Sequence, residues 1–144
     1  MKRTAESNWK GSGKDGQGHL STQSGVFDRQ PYSFKTRFEN EDGKQGTNPE
    51  ELIGAAHAGC FNMALAVELG KKDIEPEELQ TKAEVHLEKG DAGFSITSII
   101  LHLKARINNI KDEDFKDLAQ AAKENCPVSK ALAGVDIKLN AELS

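Results

Sequence analysis

From Leu52 to Val67 the chain reads Leu-Ile-Gly-Ala-Ala-His-Ala-Gly-Cys-Phe-Asn-Met-Ala-Leu-Ala-Val, with His57 and Asn62 its only distinctly polar members. Thr47-Asn48-Pro49-Glu50-Glu51 precedes it and supplies a capping residue, a proline near the first turn and carboxylates for the positive end of the helix dipole. The pattern predicts a helix from about Pro49 to Leu69, stopped at Gly70. A helix apolar nearly all round has to be buried on most sides, so it is the expected core. The rest of the chain offers little to cover it. Of 144 residues, 36% are apolar, and the mean hydropathy of −0.62 is that of a domain with less core material than its length suggests. A partner chain could supply the remainder.

Around this helix the sequence predicts mostly β-structure. Residues 1–40 read as antiparallel: a strand around Thr4–Trp9, a Gly-rich turn at 11–16, and a second strand at His19–Gln23. Tyr32-Ser-Phe-Lys-Thr-Arg-Phe38 alternates ring and polar residues with a period of two. It predicts a strand with Tyr32, Phe34, Thr36 and Phe38 on one face and Ser33, Lys35 and Arg37 on the other. A polar loop covers 39–46. Beyond the helix, a short helical turn at Glu75–Leu79 leads into a hairpin of Thr81–Glu88 and Phe94–Ile107, joined through Lys89-Gly-Asp-Ala-Gly93. The spacing of Phe115, Leu118, Ala119 and Ala122 predicts a helix over Asp112–Asn125. Cys126-Pro127 then opens a short helix through Ala133, and the alternating Val135–Leu143 closes a sheet.

Charge narrows the partners. Nineteen Lys and Arg against 23 Asp and Glu give a net charge of −4 with no basic run, which argues against nucleic acid. The N-terminus lacks a signal-peptide core, and no stretch of about 18 apolar residues is uninterrupted, so the expectation is a cytoplasmic protein with no membrane partner. A permanent structural disulfide does not suit that compartment, which leaves its two cysteines free, metal-bound or redox-cycling. Cys60 and Cys126 stand 66 positions apart, with no C-x-x-C or H-x-x-x-H spacing to suggest zinc. They interact only if the fold unites them.

Local context ranks the two thiols. A cysteine with a pKa of about 8.5 is only roughly 3% thiolate at neutral pH. Cys126 precedes Pro127 at a helix start, where unpaired N–H groups favour an anion, so it is the more acidic thiol by position. Cys60 lies mid-helix among apolar residues, which disfavours its charge. An arginine about 4 Å away at an effective dielectric of about 20 contributes roughly 4 kcal/mol, enough to lower a thiol by about three pKa units. Of Arg3, Arg29, Arg37 and Arg106, Arg37 stands out, and Glu50 could hold its guanidinium through a bidentate pair; a plain surface salt bridge is the competing view. His57, three residues before Cys60, raises a Cys-His hydrolase alternative. No oxyanion hole or third orienting group accompanies it, so a packed core histidine is favoured. His19, His86 and His102 are expected on strands facing solvent, and Phe61, Met63 and Leu65 in the core.

Gly46-Thr-Asn-Pro-Glu-Glu-Leu-Ile-Gly-Ala-Ala-His-Ala-Gly-Cys-Phe-Asn-Met-Ala-Leu65 closely resembles the signature of the OsmC/Ohr family, and Asn125-Cys-Pro-Val-Ser129 is similar to its second cysteine motif. Ser21–Gly25 and Pro31–Phe38 resemble the OsmC branch, and the likeness runs over essentially the whole chain. It implies one OsmC-like domain over residues 1–144, of α+β class, forming an intertwined homodimer with antiparallel β-sheets packed around long central helices. Sharing an all-apolar helix across a two-fold axis would also solve the problem of covering it.

The resemblance further implies a thiol-dependent reductase of organic hydroperoxides. Cys60 becomes the peroxide-attacking thiol, Cys126 the resolving thiol, and Arg37 with Glu50 the pair that activates Cys60, which reverses the ranking from local context. The implied cycle passes through a Cys60 sulfenic acid and a Cys60–Cys126 disulfide, reduced by an external dithiol or thiol, lipoyl-type dithiols being the first candidates. Apolar surroundings at Cys60 favour alkyl or lipid-like peroxides. No metal or organic cofactor is required, and the site is expected at the dimer interface with residues from both chains. The alternative is a non-catalytic, stress-related binding or structural dimer on the same fold.

Overall fold

The computed structural model describes residues 1–144, which divide into two units, Met1–Leu52 and Ile53–Ser144. In the first, β1 (Ala5–Lys10), β2 (Gln17–Thr22) and β3 (Gln30–Ser33) form an antiparallel sheet in the order β1-β2-β3. Gly18 lies beneath a Trp9–Tyr32 ring pair whose centroids are 5.3 Å apart. A Cβ there would come within 2.5 Å of Tyr32 Cε1, so the ring packing requires glycine.

The strand expected over Tyr32–Phe38 ends at Ser33, and Phe34–Phe38 is a helix, α1. Ser33 Oγ accepts from the Thr36 N–H at 3.2 Å, while Thr36 Oγ1 accepts from the Ser33 N–H at 2.9 Å. This reciprocal capping box satisfies two helix-start donors and turns the chain out of the sheet. Phe34 and Phe38, four residues apart, pack with centroids 4.8 Å apart on one side of the helix. Arg37 therefore does not occupy a strand face opposite those rings; its guanidinium carbon lies 4.8 Å from the Phe38 ring centroid.

α2 (Pro49–Gly70) starts in the last residues of the first unit and runs into the second. The Asn48 side chain caps it, accepting from the Glu51 N–H at 2.8 Å. The second unit continues with β4 (Glu78–Gly90), β5 (Gly93–Arg106), α3 (Asp112–Asn125), α4 (Pro127–Ala131) and β6 (Asp136–Leu143). Its sheet has the order β4-β5-β6. β4 and β5 form the predicted antiparallel hairpin, closed at Gly90 and Gly93. β5 and β6 pair in parallel, with α3 and α4 as the crossover that a parallel pair requires. The helical turn expected at Glu75–Leu79 does not form. Glu78 and Leu79 are already in β4 opposite Arg106 and Ala105, and Arg106 bonds Glu77 and Glu78 at 3.2 and 3.0 Å.

One face of this sheet carries the core. Ile99, Leu101, Leu103 and Ala105 of β5 are buried, as are Phe61, Leu65 and Leu69 of α2 and Phe115, Ala119 and Ala122 of α3. Each fully buried Leu, Ile or Phe contributes about 1.5–3 kcal/mol of transfer free energy. Gly54 lets α2 approach β4, since a Cβ there would already be 3.4 Å from Val85 Cγ2. By length and composition α2 could cross a membrane, but Gly54, His57, Phe61, Leu65 and Leu69 form a buried stripe, so it is a core helix. Its burial is one-sided. Met63 is 74% exposed and Val67 60%, on the side away from Phe61 and Leu65, so a single chain buries less of α2 than its composition predicts, and Met63 is not a core residue.

Candidate active site

The fold brings the two cysteines together. Cys60, partly buried on α2, and Cys126, fully buried where α3 meets α4, are free thiols close enough for each to shift the other's titration. Local chemistry makes the second site. Cys126 ends α3, its N–H bonded to Ala122 O at 2.9 Å, and begins α4, its carbonyl accepting from the Lys130 N–H at 3.0 Å. Pro127 has no N–H to offer, so the first free donors of the new helix are those of Val128 and Ser129. Both, together with the Ser129 hydroxyl, favour negative charge on Cys126 Sγ.

The consequence is an unequal pair. Burial works to raise the Cys126 pKa, but the Ser129 N–H, the Cys60 thiol, the Ser129 hydroxyl and the Val128 N–H together outweigh it and leave Cys126 below the ordinary thiol value. Burial pushes Cys60 up, and its bond to Cys126 raises it further against a smaller opposing contribution from the Val128 N–H. The groups around the pair thus favour charge on Cys126 over Cys60, the direction read from local context. As in any strongly interacting pair, titration belongs to both thiols together.

His57 does not bond Cys60. Its Nε2 lies 2.8 Å from Ser129 Oγ, entirely within the protein, and burial lowers its pKa and keeps it neutral. Ser129 is thus a site residue that the sequence showed only as part of a motif; its place as the third residue of a cysteine-capped, proline-started helix was the available signal. His102 lies on β5 and pairs with Glu84 at 3.4 Å.

Arg37 and Glu50 form the bidentate pair expected of them. Arg37 Nη2 donates to Glu50 Oε1 at 2.6 Å and Arg37 Nε donates to Glu50 Oε2 at 3.2 Å. The Arg37 side chain is 35% exposed, leaving the outer edge of the guanidinium open, whereas Glu50 is 13% exposed. Glu50 and Cys60 stand ten residues apart on α2, about 15 Å of axial rise.

Together these features describe an α+β redox protein: two distant thiols united, one of them held as an acceptor by a helix start. Its kinship is direct. The chain belongs to the OsmC-like family, whose model, described as OsmC-like protein, matches residues 41–140. That span includes Glu50, Cys60 and Cys126 and leaves Arg37 outside. Peroxiredoxin OsmC of Escherichia coli (strain K12) is 48% identical over 130 residues, covering 90% of this chain and 89% of the relative. Organic hydroperoxide resistance protein OhrB of Bacillus subtilis (strain 168) is 33% identical over 125 residues, 85% of this chain and 87% of that one. The crystal structure of OhrB of Bacillus subtilis superposes with a TM-score of 0.71 at 32% identity, covering 96% of this chain and 98% of the other, in keeping with the expected α+β class.

Proposed function

We infer that the chain is a thiol-dependent peroxidase that reduces organic hydroperoxides to alcohols, with Cys60 as the attacking thiol and Cys126 as the resolving thiol. The observation that carries this reading is that the fold brings two free thiols 66 positions apart in the sequence close enough to interact. The names of the relatives, a peroxiredoxin and an organic hydroperoxide resistance protein, support the same chemistry. Cys60 thiolate attacks the distal oxygen of ROOH; the O–O bond breaks, the alkoxide takes a proton and leaves as alcohol, and Cys60 becomes a sulfenic acid. Cys126 thiolate attacks that sulfur, an S–S bond forms, and hydroxide departs as water. An external dithiol or thiol, with lipoyl-type dithiols the first candidates, returns both cysteines to the reduced state. Ala56, Met63 and Ala64 flank Cys60 on α2 and favour alkyl or lipid-like peroxides.

The resting order of acidity must reverse for Cys60 to attack, and Arg37 with Glu50 is the proposed means. In this proposal the guanidinium that serves each Cys60 comes from a second copy of the chain. The exposed side of α2, with Ala56, Gly59, Met63 and Val67, supplies the apolar surface for that homodimer. Each chain contributes one OsmC-like domain over residues 1–144, working in the cytoplasm without nucleic acid or membrane.

The test is a thiol count. One equivalent of cumene or tert-butyl hydroperoxide should remove two free thiols per reduced chain, and a sulfenic acid should be trapped in Cys126→Ser but not in Cys60→Ser. Unchanged thiols would sink the peroxidase and favour a non-catalytic dimer.

A further inference from the structure

We propose that His57 and Ser129 are positioning residues for Cys126: His57 Nε2–H donates to Ser129 Oγ, and Ser129 donates its own proton to Cys126 Sγ, aiming that sulfur at Cys60. The inference rests on the assignment of Cys126 as the resolving thiol.

The geometry is a pair of parallel cross-links between two helices. His57 and Cys60 are one turn apart on α2; Cys126 and Ser129 are one turn apart at the start of α4. His57 lies 2.8 Å from Ser129 Oγ, and Cys60 interacts with Cys126. Slippage of either helix would break both links, so the histidine–serine bond keeps the two sulfurs in register.

Proton inventory sets the direction. Ser129 has one hydroxyl proton and two neighbours, His57 Nε2 and Cys126 Sγ. If the proton goes to sulfur, the imidazole must be the donor to Ser129 and carries its hydrogen on Nε2. The other end of the ring agrees. His57 Nδ1 is buried and has no partner, so the opposite tautomer would bury an unpaired N–H and also withdraw the Ser129 proton from sulfur. Burial keeps His57 neutral, which suits a fixed donor and not an acid.

Few other charges can interfere. Acting on Cys126 are Cys60 from α2 and Val128 and Ser129 from α4, with His57 reaching Ser129; the inward residues of β5 and β6, including Leu101 and Leu139, are apolar. Lys123 of α3 bonds Ile137 O at 3.2 Å, and Glu68 is held by Lys71 and Asn125. The role is confined to the condensation: Cys126–S⁻ attacks the Cys60 sulfenic sulfur, the S–S bond forms, the S–O bond breaks, and the hydroxide takes its proton from water. His57 and Ser129 neither gain nor lose a proton.

The experiment begins with thiolate absorbance near 240 nm, titrated in full-length Cys60→Ser and Cys60→Ser/Ser129→Ala. Loss of the hydroxyl should move the Cys126 titration to higher pH and slow disulfide formation roughly tenfold at pH 7 in the Ser129→Ala single variant, a larger effect than on sulfenic acid formation at Cys60. The deficit should close as pH rises, and Ser129→Thr should restore the parent titration. An identical titration with and without the Ser129 hydroxyl would overturn the proposal. Should Ser129→Ala not fold, ¹⁵N shifts of His57 in the unaltered protein decide: a neutral Nε2–H ring supports it, and an Nδ1–H ring refutes it. The peroxide thiol count is independent, so failure of the peroxidase reading remains distinguishable.

Discussion

Replacing Arg37 with alanine separates the two accounts of how Cys60 becomes a nucleophile. Within one chain, burial and the Cys126 bond hold Cys60 above the ordinary thiol value, while Cys126 lies below it. A guanidinium at about 4 Å, at an effective dielectric of about 20, favours the Cys60 thiolate by roughly 4 kcal/mol, or about three pKa units. Arg37 is 35% exposed, so solvent screening reduces this, and about 2 kcal/mol is a working lower bound. The corresponding loss on Arg37→Ala is about 30-fold to 1000-fold in thiolate at neutral pH. Stopped-flow rates of sulfenic acid formation with cumene hydroperoxide, in Cys126→Ser with and without Arg37→Ala, measure it free of resolution. The slowing should be greatest near pH 7 and shrink as alkali ionises Cys60 unaided. Equal rates at pH 7 would remove Arg37 from the mechanism. Refolding Arg37→Ala together with Cys60→Ser should yield mixed dimers in which one Arg37 serves the other chain's Cys60; no gain over either variant would show that the arginine does not act across subunits.

Met63→Glu should leave the chain folded, since Met63 is 74% exposed, yet weaken the proposed dimer by about 3 kcal/mol or more through an unpaired buried carboxylate; sedimentation showing an unchanged dimer would move the interface elsewhere. Gly54→Leu must force α2 off Val85 and Ala83 and should cost about 1–3 kcal/mol in urea unfolding, with Gly54→Ala much milder. His57 gives a pH signature: its folded pKa lies below the ordinary value, so the unfolded chain binds a proton that the folded chain refuses. That contribution is complete above about pH 6.5 and lost as pH falls toward the folded value. Urea midpoints at pH 5 and 7.5 should therefore differ more in the parent than in His57→Gln, and equal differences would rule out this source.

Features written in adjacent residues were the legible ones. Asn48, Pro49, Glu50 and Glu51 mark where α2 begins, and Cys126-Pro127-Val128-Ser129 marks a helix start whose first donors favour charge on the cysteine, the direction in which they shift it. Phe34–Phe38 was misread because five residues with rings at both ends fit a period of two and a spacing of four equally well. The Ser33–Thr36 capping box decides between them. Met63 was expected in the core because composition says how apolar a helix is, not how many of its sides one chain covers. Ser129 and His57 lie 72 positions apart, and only the β5–β6 crossover makes them neighbours.

The same crossover explains why the thiols can have unequal roles with so little machinery. A thiolate at Cys126 needs only N–H groups that any proline-started helix leaves unpaired, together with one serine hydroxyl. A thiolate at Cys60 cannot be made that way, because N–H groups in the middle of a helix are already bonded. It requires an external cation, and Glu50, the carboxylate that holds Arg37, stands ten residues away along α2. On the proposed mechanism the single chain is ready to resolve a sulfenic acid but not to form one. Peroxide attack then depends on assembly, so dilution below the dimer dissociation constant should slow oxidation of Cys60 to the rate of the Arg37→Ala variant while leaving the low titration of Cys126 in place.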